Sequence, residues 1–316
     1  MHLNPLVTII IPSYNHSKWI GDAIASVQDQ TYDNWELIVV DDGSQDDTAK
    51  ILQTYAEDPR IQVICNPVNR GQSAVVNQAL YLSRGEFICF LPSDDWYLPQ
   101  KIQLQVERFQ DLPEDYGVVY GKGQRYFGDI AKLVDIDLPT HEGWVLRQLI
   151  EGNFVYPVTP MFRRACFQDF PFDETYSAEG EAIYLKIAIK YRFSFVNHVV
   201  GVMRDHPGNT GKKTDMMYAD NLRYWNEFFS RRDIPASIRP LKRWCIAKLE
   251  RMTGLTLINI ESRHAAGRKH LFKAIYNNPK LLFDWKVIAG ISLSCMPKSI
   301  AQSINVWRDN KKALST

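Results

Sequence analysis

The chain has 316 residues, 45% of them hydrophobic and 23% charged, with a formal net charge of +1. That length holds one large domain or two, and the composition excludes a disordered or collagen-like chain. The small net charge argues against a bulk nucleic-acid binder, but it averages two opposite parts: residues 239–316 hold 15 Lys/Arg against 4 Asp/Glu, a balance of +11 that leaves −10 over residues 1–238. In chain order, Val7–Ile11 is a continuous β-branched run ended by Pro12, as in a strand covered on both faces. Lys18–Gln30 carries Ile20, Ala23, Ile24 and Val27 at helical spacing, with Ser17 as the predicted N-cap. Glu36–Val40 reads as a second buried strand, Gln45–Glu57 as a helix with Ile51, Leu52 and Tyr55 inward, and Ile61–Ile64 as a short strand. Ser73–Ser83 predicts a helix closed by Gly85 as its C-terminal cap, followed by a strand over Glu86–Leu91 and a helix over Leu98–Gln110. Residues 112–210 are mixed, with strand-like runs at 117–120 and 193–200 and a helical run near 180–190; from about 214 onward the pattern is mainly helical.

The five cysteines are scattered and form no CxxC pair, so the expectation is neither a disulfide framework nor a zinc site, in a reducing cytoplasm. The N-terminus lacks the pattern of a signal peptide, and the most apolar stretch, Leu281–Met296, is interrupted by Asp284 and Lys286, which argues against a spanning helix. Alternating strands and helices predict an α/β fold, a largely parallel twisted sheet flanked by helices. Such sheets bind ligands at the carboxyl ends of their strands. The residues there are Pro12-Ser13-Tyr14-Asn15, Asp41-Asp42-Gly43-Ser44 and Pro92-Ser93-Asp94-Asp95, a polar and mostly acidic edge.

Two adjacent carboxylates at a strand end repel, and burying them is unfavourable unless a cation neutralises them. Oxygen ligands of this kind suit Mg²⁺ or Mn²⁺ shared with substrate phosphates; the structural alternative for Asp94-Asp95 is a solvated turn capping the next helix. The Asp41-Asp42-Gly43-Ser44 turn offers an acceptor for a base or ribose, or else a glycine turn with helix-capping side chains. Tyr14 offers a flat face for a base, or Pro12 simply terminates a strand.

Taken together, Val7–Asn15, Gln30-Thr31-Tyr32, Glu36–Ser44, Asn69-Arg70-Gly71 with Asn77, and Gly85–Asp95 resemble, in order, the family 2 glycosyltransferases of GT-A fold. The resemblance is strong over about residues 5–110 and weaker to about 210. It implies a Rossmann-like GT-A domain over 1–212 with a basic, mainly helical extension over 213–316. It further implies a nucleotide-sugar donor, a divalent cation and transfer with inversion. By that resemblance Pro12, Tyr14 and Asn15 lie where base and ribose bind, Asp42 is the base-binding aspartate, Asp94 faces the ribose or sugar and Asp95 ligates the metal. Pro92 stands where the commoner family form has a further Asp, and Val76-Asn77 stands for its Arg-Asn, which leaves Asn77 at the donor and Arg70 as a substitute phosphate contact. Phe172-Asp173-Glu174 followed by Ala178-Glu179-Gly180-Glu181 resembles the segment that supplies the catalytic base. Gly180 falls at the usual aspartate, leaving Glu179 and Glu181 as the two candidates, or as ordinary first-turn helix acids. Arg204-Asp205-His206 resembles the late Arg-x-His segment, which implies His206 at the metal or diphosphate; the other reading is a surface loop with a Pro-Gly turn. His16, His141, His198, His264 and His270 have no comparable context.

The expected reaction is transfer of a sugar, most often from a UDP-sugar in this family, to a glycan or lipid-linked acceptor in cell-surface polysaccharide biosynthesis, with no nucleic acid involved. The alternative from another class is a nucleotide-sugar-binding regulator without turnover, kept open by Gly180. A nucleotidyltransferase would need a glycine-rich, basic phosphate loop near the N-terminus, and residues 12–18 contain no glycine. The tail joins its basic charge to Trp244, Trp285 and Trp307, which fits either peripheral contact with an anionic membrane on the cytoplasmic face or an ordinary helical bundle with solvated lysines.

Overall fold

The computed structural model describes residues 4–128, 130–176, 179–209 and 214–296, the Glu181 side chain excepted. The chain divides into two compact units, Met1–Pro207 and Gly208–Thr316.

The first unit is built on a nine-stranded sheet of order β3-β2-β1-β4-β8-β6-β9-β5, with β7 paired to β6. Strands β1 (Val7–Ser13), β2 (Trp35–Asp41), β3 (Ile61–Cys65) and β4 (Phe87–Phe90) are parallel, joined by right-sized helical crossovers: α1 (Ile20–Gln28), α2 (Thr48–Gln53) and α3 (Gln72–Leu82). The apolar runs explain this half. Ile9, Ile11, Leu37 and Val39 are fully buried because helices or later strands cover both faces. Beyond β4 the sheet becomes mixed. Strand β5 (Trp96–Tyr97), helix α4 (Lys101–Gln110), strands β6 (Tyr116–Phe127) and β7 (Lys132–Ile136), helix α5 (Leu146–Glu151), strand β8 (Met161–Arg163), helices α6 (Ala165–Asp169) and α7 (Ile183–Ile187) and strand β9 (Arg192–Asp205) complete the unit. Strand β8 runs antiparallel between β4 and β6, while β9 runs parallel to β6 and antiparallel to β5. That last pairing carries the end of β9 to the acidic loop after β4.

Two expected caps differ. Ser17 does not cap α1; Trp19 holds that position without a side-chain bond, and the Ser17 amide donates instead to Asp46 at 3.1 Å. Gly85 does not cap α3, which ends at Ser83 in extended conformation. Glycine is required at 85 for another reason: a Cβ there would meet the Thr8 backbone nitrogen at 2.5 Å, so only glycine lets this chain lie against β1.

The second unit is helical over its described residues, with α8 (Thr214–Ser230), α9 (Lys242–Asn259), α10 (His264–Asn277) and α11 (Trp285–Cys295). Its small apolar cluster joins Ile258, Leu271, Val287 and Leu293. Helices α9 and α10 approach closely through Gly254 and Gly267, since a Cβ on Gly267 would lie 2.7 Å from the Gly254 carbonyl oxygen. Among the described residues no helix is long and apolar enough to cross a membrane.

Candidate active site

The three polar strand ends converge as the parallel topology requires. Asn15 takes a left-handed conformation, φ 55°, and latches the first loop to the second: its amide donates to Ser44 Oγ at 2.8 Å and its Oδ1 accepts from the Gln45 amide at 2.7 Å. Pro12 pairs in register with Val40, and Tyr14 stands 44% exposed two residues on. Asp41 bonds the amide and the hydroxyl of Ser44. Asp42 is buried, and its two oxygens accept the amides of Arg70 and Gly71, each at 2.9 Å. The Asp42 carboxylate therefore holds the loop entering α3 against the end of β2. That use of both oxygens was not foreseen in the sequence, where Asp42 was expected to meet the base.

The acidic pair follows β4. Asp94 Oδ2 lies 2.8 Å from His206 Nε2, at the close of β9. His16, two residues past Tyr14, stands against the same loop through its Nδ1, 2.7 Å from Ser93 Oγ. Ligand atoms of His16, Asp94 and His206 all lie within 4.8 Å of one another. Trp19 packs over His206, ring centroids 4.2 Å apart, and His16 meets Trp19 edge-on. Burial holds the His16 imidazole below its usual pKa, with His206 pushing the same way and Asp94 and Asp46 opposing. A neutral ring is the form that ligates a metal.

Asp95 follows directly in the same loop. Its Oδ1 accepts the Arg204 amide at 2.8 Å, and it is buried at 2% exposure. Burial, and then the charge of Asp94, push its carboxyl well above the usual carboxylate range, against the pull of Arg204 and Arg125. A cation beside the pair offsets both effects. The Arg204 guanidinium closes the arrangement, donating from Nε to the Asp94 carbonyl at 3.1 Å and from Nη2 to Asp22 at 2.8 Å. The expectation places Asp95 and His206 at the metal and Asp94 at the ribose or sugar; here Asp94 meets the histidines, and Asp95 Oδ1 holds the Arg204 amide. Two imidazoles and one carboxylate are a donor set that fits a divalent transition metal such as Mn²⁺ better than Mg²⁺.

The remaining expected residues serve a second loop. Asn77 on α3 donates to the Phe172 carbonyl at 2.8 Å and to Glu174 at 3.0 Å, and accepts the Phe172 amide at 3.2 Å. Glu179 is a buried carboxylate whose Oε1 pairs with Lys186 and whose Oε2 accepts the Asp173 amide at 2.8 Å. These two contacts tie Glu179 to α7 through Lys186 and to the Phe172-Asp173-Glu174 segment through the Asp173 amide. Gly180 opens a 3-10 turn, Gly180–Ala182, with φ +52° and open space where a Cβ would stand. Glu181 lies in that turn, and its side chain is outside the described residues.

Sequence reasoning passed over His16 and Trp19, and named Arg204 only as the start of the Arg204-Asp205-His206 segment. The signal for His16 was its place directly after the Tyr14-Asn15 strand end; the Arg-x-His segment marked Arg204 but not its hold on the acidic pair, since those partners lie over 100 positions away.

Comparison with known proteins agrees with this architecture. The model of the family described as Glycosyl transferase family 2 matches residues 8–169. The chain is 42% identical over 234 residues to a chondroitin synthase of Escherichia coli, covering 72% of this chain and 33% of that one. It is 41% identical over 117 residues to the E. coli UDP-Glc:alpha-D-GlcNAc-diphosphoundecaprenol beta-1,3-glucosyltransferase WfgD, covering 37% of this chain and 45% of that one. It thus spans less than half the length of these curated relatives. Among solved structures, S. aureus TarS 1–349 in complex with UDP-GlcNAc superposes with a TM-score of 0.66 at 20% identity, covering 91% of this chain and 90% of that one. The mannosyltransferase PcManGT of Pyrobaculum calidifontis, in complex with GDP-Man and Mn²⁺, gives 0.60 at 17% identity over 97% and 88%. These two share the fold, a GT-A arrangement, and the family match extends that likeness to sequence: the chain belongs to glycosyl transferase family 2.

Proposed function

We propose that this chain transfers a sugar, with inversion, from a nucleoside-diphosphate sugar to a hydroxyl of a glycan or lipid-linked acceptor in cell-surface polysaccharide biosynthesis. The observation that carries the reading is the gathering of His16, Asp94 and His206 at the carboxyl edge of β1, β4 and β9, on the same strand end as the exposed Tyr14. The relatives support it: one is named as a UDP-glucose-dependent glucosyltransferase on a diphosphoundecaprenol acceptor, and fold neighbours are described with UDP-GlcNAc or with GDP-Man and Mn²⁺. A UDP-sugar is the donor we favour on that basis.

In this reading Tyr14 stacks on the base, while Asn15 and Asp42 hold the two loops that flank the nucleoside. His16, Asp94 and His206 would hold a divalent cation. When bound, the cation neutralises the donor diphosphate and the charge developing on the leaving group. Asp95 and Arg204 keep Asp94 and His206 in register. A carboxylate must take the acceptor hydroxyl's proton as that oxygen attacks the anomeric carbon, the nucleoside diphosphate leaving from the opposite face. With Glu179 committed to Lys186 and the Asp173 amide, we assign the base to Glu181.

A second reading, a nucleotide-sugar-binding protein without turnover, draws on the same facts: Gly180 stands at the usual aspartate and Glu179 is internally paired. Calorimetric titration with UDP, GDP and their sugars, with and without Mn²⁺, followed by turnover assays with the donor that binds, separates the readings. Metal-dependent binding with sugar release to acceptor supports the enzyme. Binding without any turnover supports the second reading, and no binding to any nucleotide defeats both.

A further inference from the structure

The second unit presents an apolar surface that its own described residues do not cover. Between the end of α10 and the second turn of α11 the chain exposes Tyr276 (79%), Leu282, Phe283 (88%), Trp285 (71%) and Ile288. These five exposed side chains fall within thirteen consecutive positions at the α10–α11 turn. Helix α11 carries apolar residues on both its faces. Val287, Gly290 and Leu293 face the cluster with Leu271, while Trp285, Ile288 and Met296 face out. An apolar outer face on a helix at a surface calls for a partner.

Charge indicates which partner. Residues 239–296 contain eleven Lys/Arg and three acids. Each acid is already engaged. Glu250 is buried beneath Tyr218 and His270, at 2.8 and 2.6 Å; Glu261 pairs with Arg263 at 3.1 Å, and Asp284 with Arg251 at 2.7 Å. This segment is therefore strongly net positive, and Lys280 and Lys286 stand exposed among the aromatic residues, Lys286 with its ammonium 5.8 Å from the Trp285 ring centre. A protein partner matching this patch would need an acidic rim around an apolar centre; an anionic bilayer offers both everywhere, charge at the headgroups and hydrocarbon just below.

We propose that the α10–α11 turn is a membrane-docking surface for anionic phospholipid, with Phe283, Trp285 and Ile288 entering the interface and Lys280 and Lys286 at the headgroups. The inference stands apart from the proposed reaction, because its readout is lipid binding alone.

The test is co-sedimentation of the full chain with phosphatidylglycerol-rich vesicles and with pure phosphatidylcholine vesicles, alongside Trp fluorescence. The wild type should bind the anionic vesicles only, with a blue-shifted emission that Trp285→Phe diminishes. Phe283→Ser with Trp285→Ser should weaken partition about tenfold or more. Lys280→Gln with Lys286→Gln should weaken it about 25-fold, roughly fivefold for each lysine. Unchanged thermal unfolding of these surface variants shows that they are folded. Equal binding to both vesicle types, or no binding to either, overturns the proposal. So does a wild-type dimer in solution that Phe283→Ser with Trp285→Ser converts to monomer, since the face would then belong to a second copy.

Discussion

Arg204 donates its backbone N–H to Asp95 while its guanidinium donates to the carbonyl of Asp94, so one residue at the end of β9 grips both members of the acidic pair. Strand β5 explains the geometry: Trp96 pairs with Val202, which brings Arg204 alongside the loop just before β5. The main-chain bond survives substitution, but the side-chain bonds to Asp94 and Asp22 do not. Arg204→Met should leave the fold intact and lower kcat/KM by about 10²-fold through misplacement of Asp94 and His206. Steady-state kinetics of the purified variant check this; a rate within twofold of wild type would remove Arg204 from the site's scaffold.

The donor set at His16, Asp94 and His206 makes a metal prediction. Imidazole ligands favour Mn²⁺ over Mg²⁺, so the nucleotide should bind more tightly with Mn²⁺, and a chelator should abolish that gain. Removal of one imidazole ligand, His16→Ala or His206→Ala, should weaken Mn²⁺ by more than the roughly 10–100-fold that loss of an outer-shell partner costs, and Asp94→Asn by more again because it also removes charge. Titration calorimetry of Mn²⁺ gives these affinities directly. His16→Ala without effect would return the site to a carboxylate-centred one.

How far the sequence revealed this site depends on the range of the contacts. The β-branched runs Val7–Ile11 and Glu36–Val40 announce parallel strands because burial on both faces leaves no polar alternation. The polar residues that follow them are legible for the same reason, since the fold class fixes where strand ends meet. The antiparallel half was less visible: β8 is three residues long, and nothing local says that it inserts between β4 and β6. The uses of Asp42, Asn77 and Glu179 were also hidden. Each partners backbone groups or a side chain supplied by a loop whose path the sequence does not state. Composition marked the tail as basic and aromatic, but only the folded helices separate Leu271 and Val287, which are buried, from Phe283 and Trp285, which are not.

The assignment of the base separates Glu179 from Glu181 by two different readouts. Glu181→Gln should lower kcat by about 10²–10⁴-fold, the usual contribution of a positioned general base, with donor binding unchanged. Glu179→Ala leaves the Lys186 ammonium without its buried partner and the Asp173 amide without an acceptor. It should destabilise the protein by about 3–5 kcal/mol. Denaturant unfolding and donor titration on both variants, beside turnover, distinguish a chemical defect from a structural one. The opposite pattern, with Glu181→Gln fully active and Glu179→Gln folded but inactive, would transfer the base to Glu179.

Away from the site, Glu36 ties the opposite end of the sheet. Its Oε1 accepts from the Thr8 hydroxyl and the Arg84 amide, both at 2.6 Å, and its Oε2 meets the Arg84 guanidinium. The Thr8 hydroxyl in turn accepts the Gly85 amide at 2.9 Å, so β1, β2 and the entry to β4 are joined through one carboxylate. Burial raises its pKa, but the bonds from Thr8 and Arg84 outweigh it and leave the group below its ordinary value of 4.5. A depressed carboxylate contributes stability above its unfolded pKa and loses it as pH falls through the lower folded value. Glu36→Gln keeps the shape but gives up the charge, and one of its two polar atoms must now face donors with an N–H of its own. It should cost about 1–3 kcal/mol at neutral pH, with the difference from wild type shrinking as the pH is lowered past the ordinary glutamate range. Urea unfolding of both proteins at neutral pH and at successively lower pH measures this; a difference that stays constant with pH would mean that Glu36 acts through packing alone.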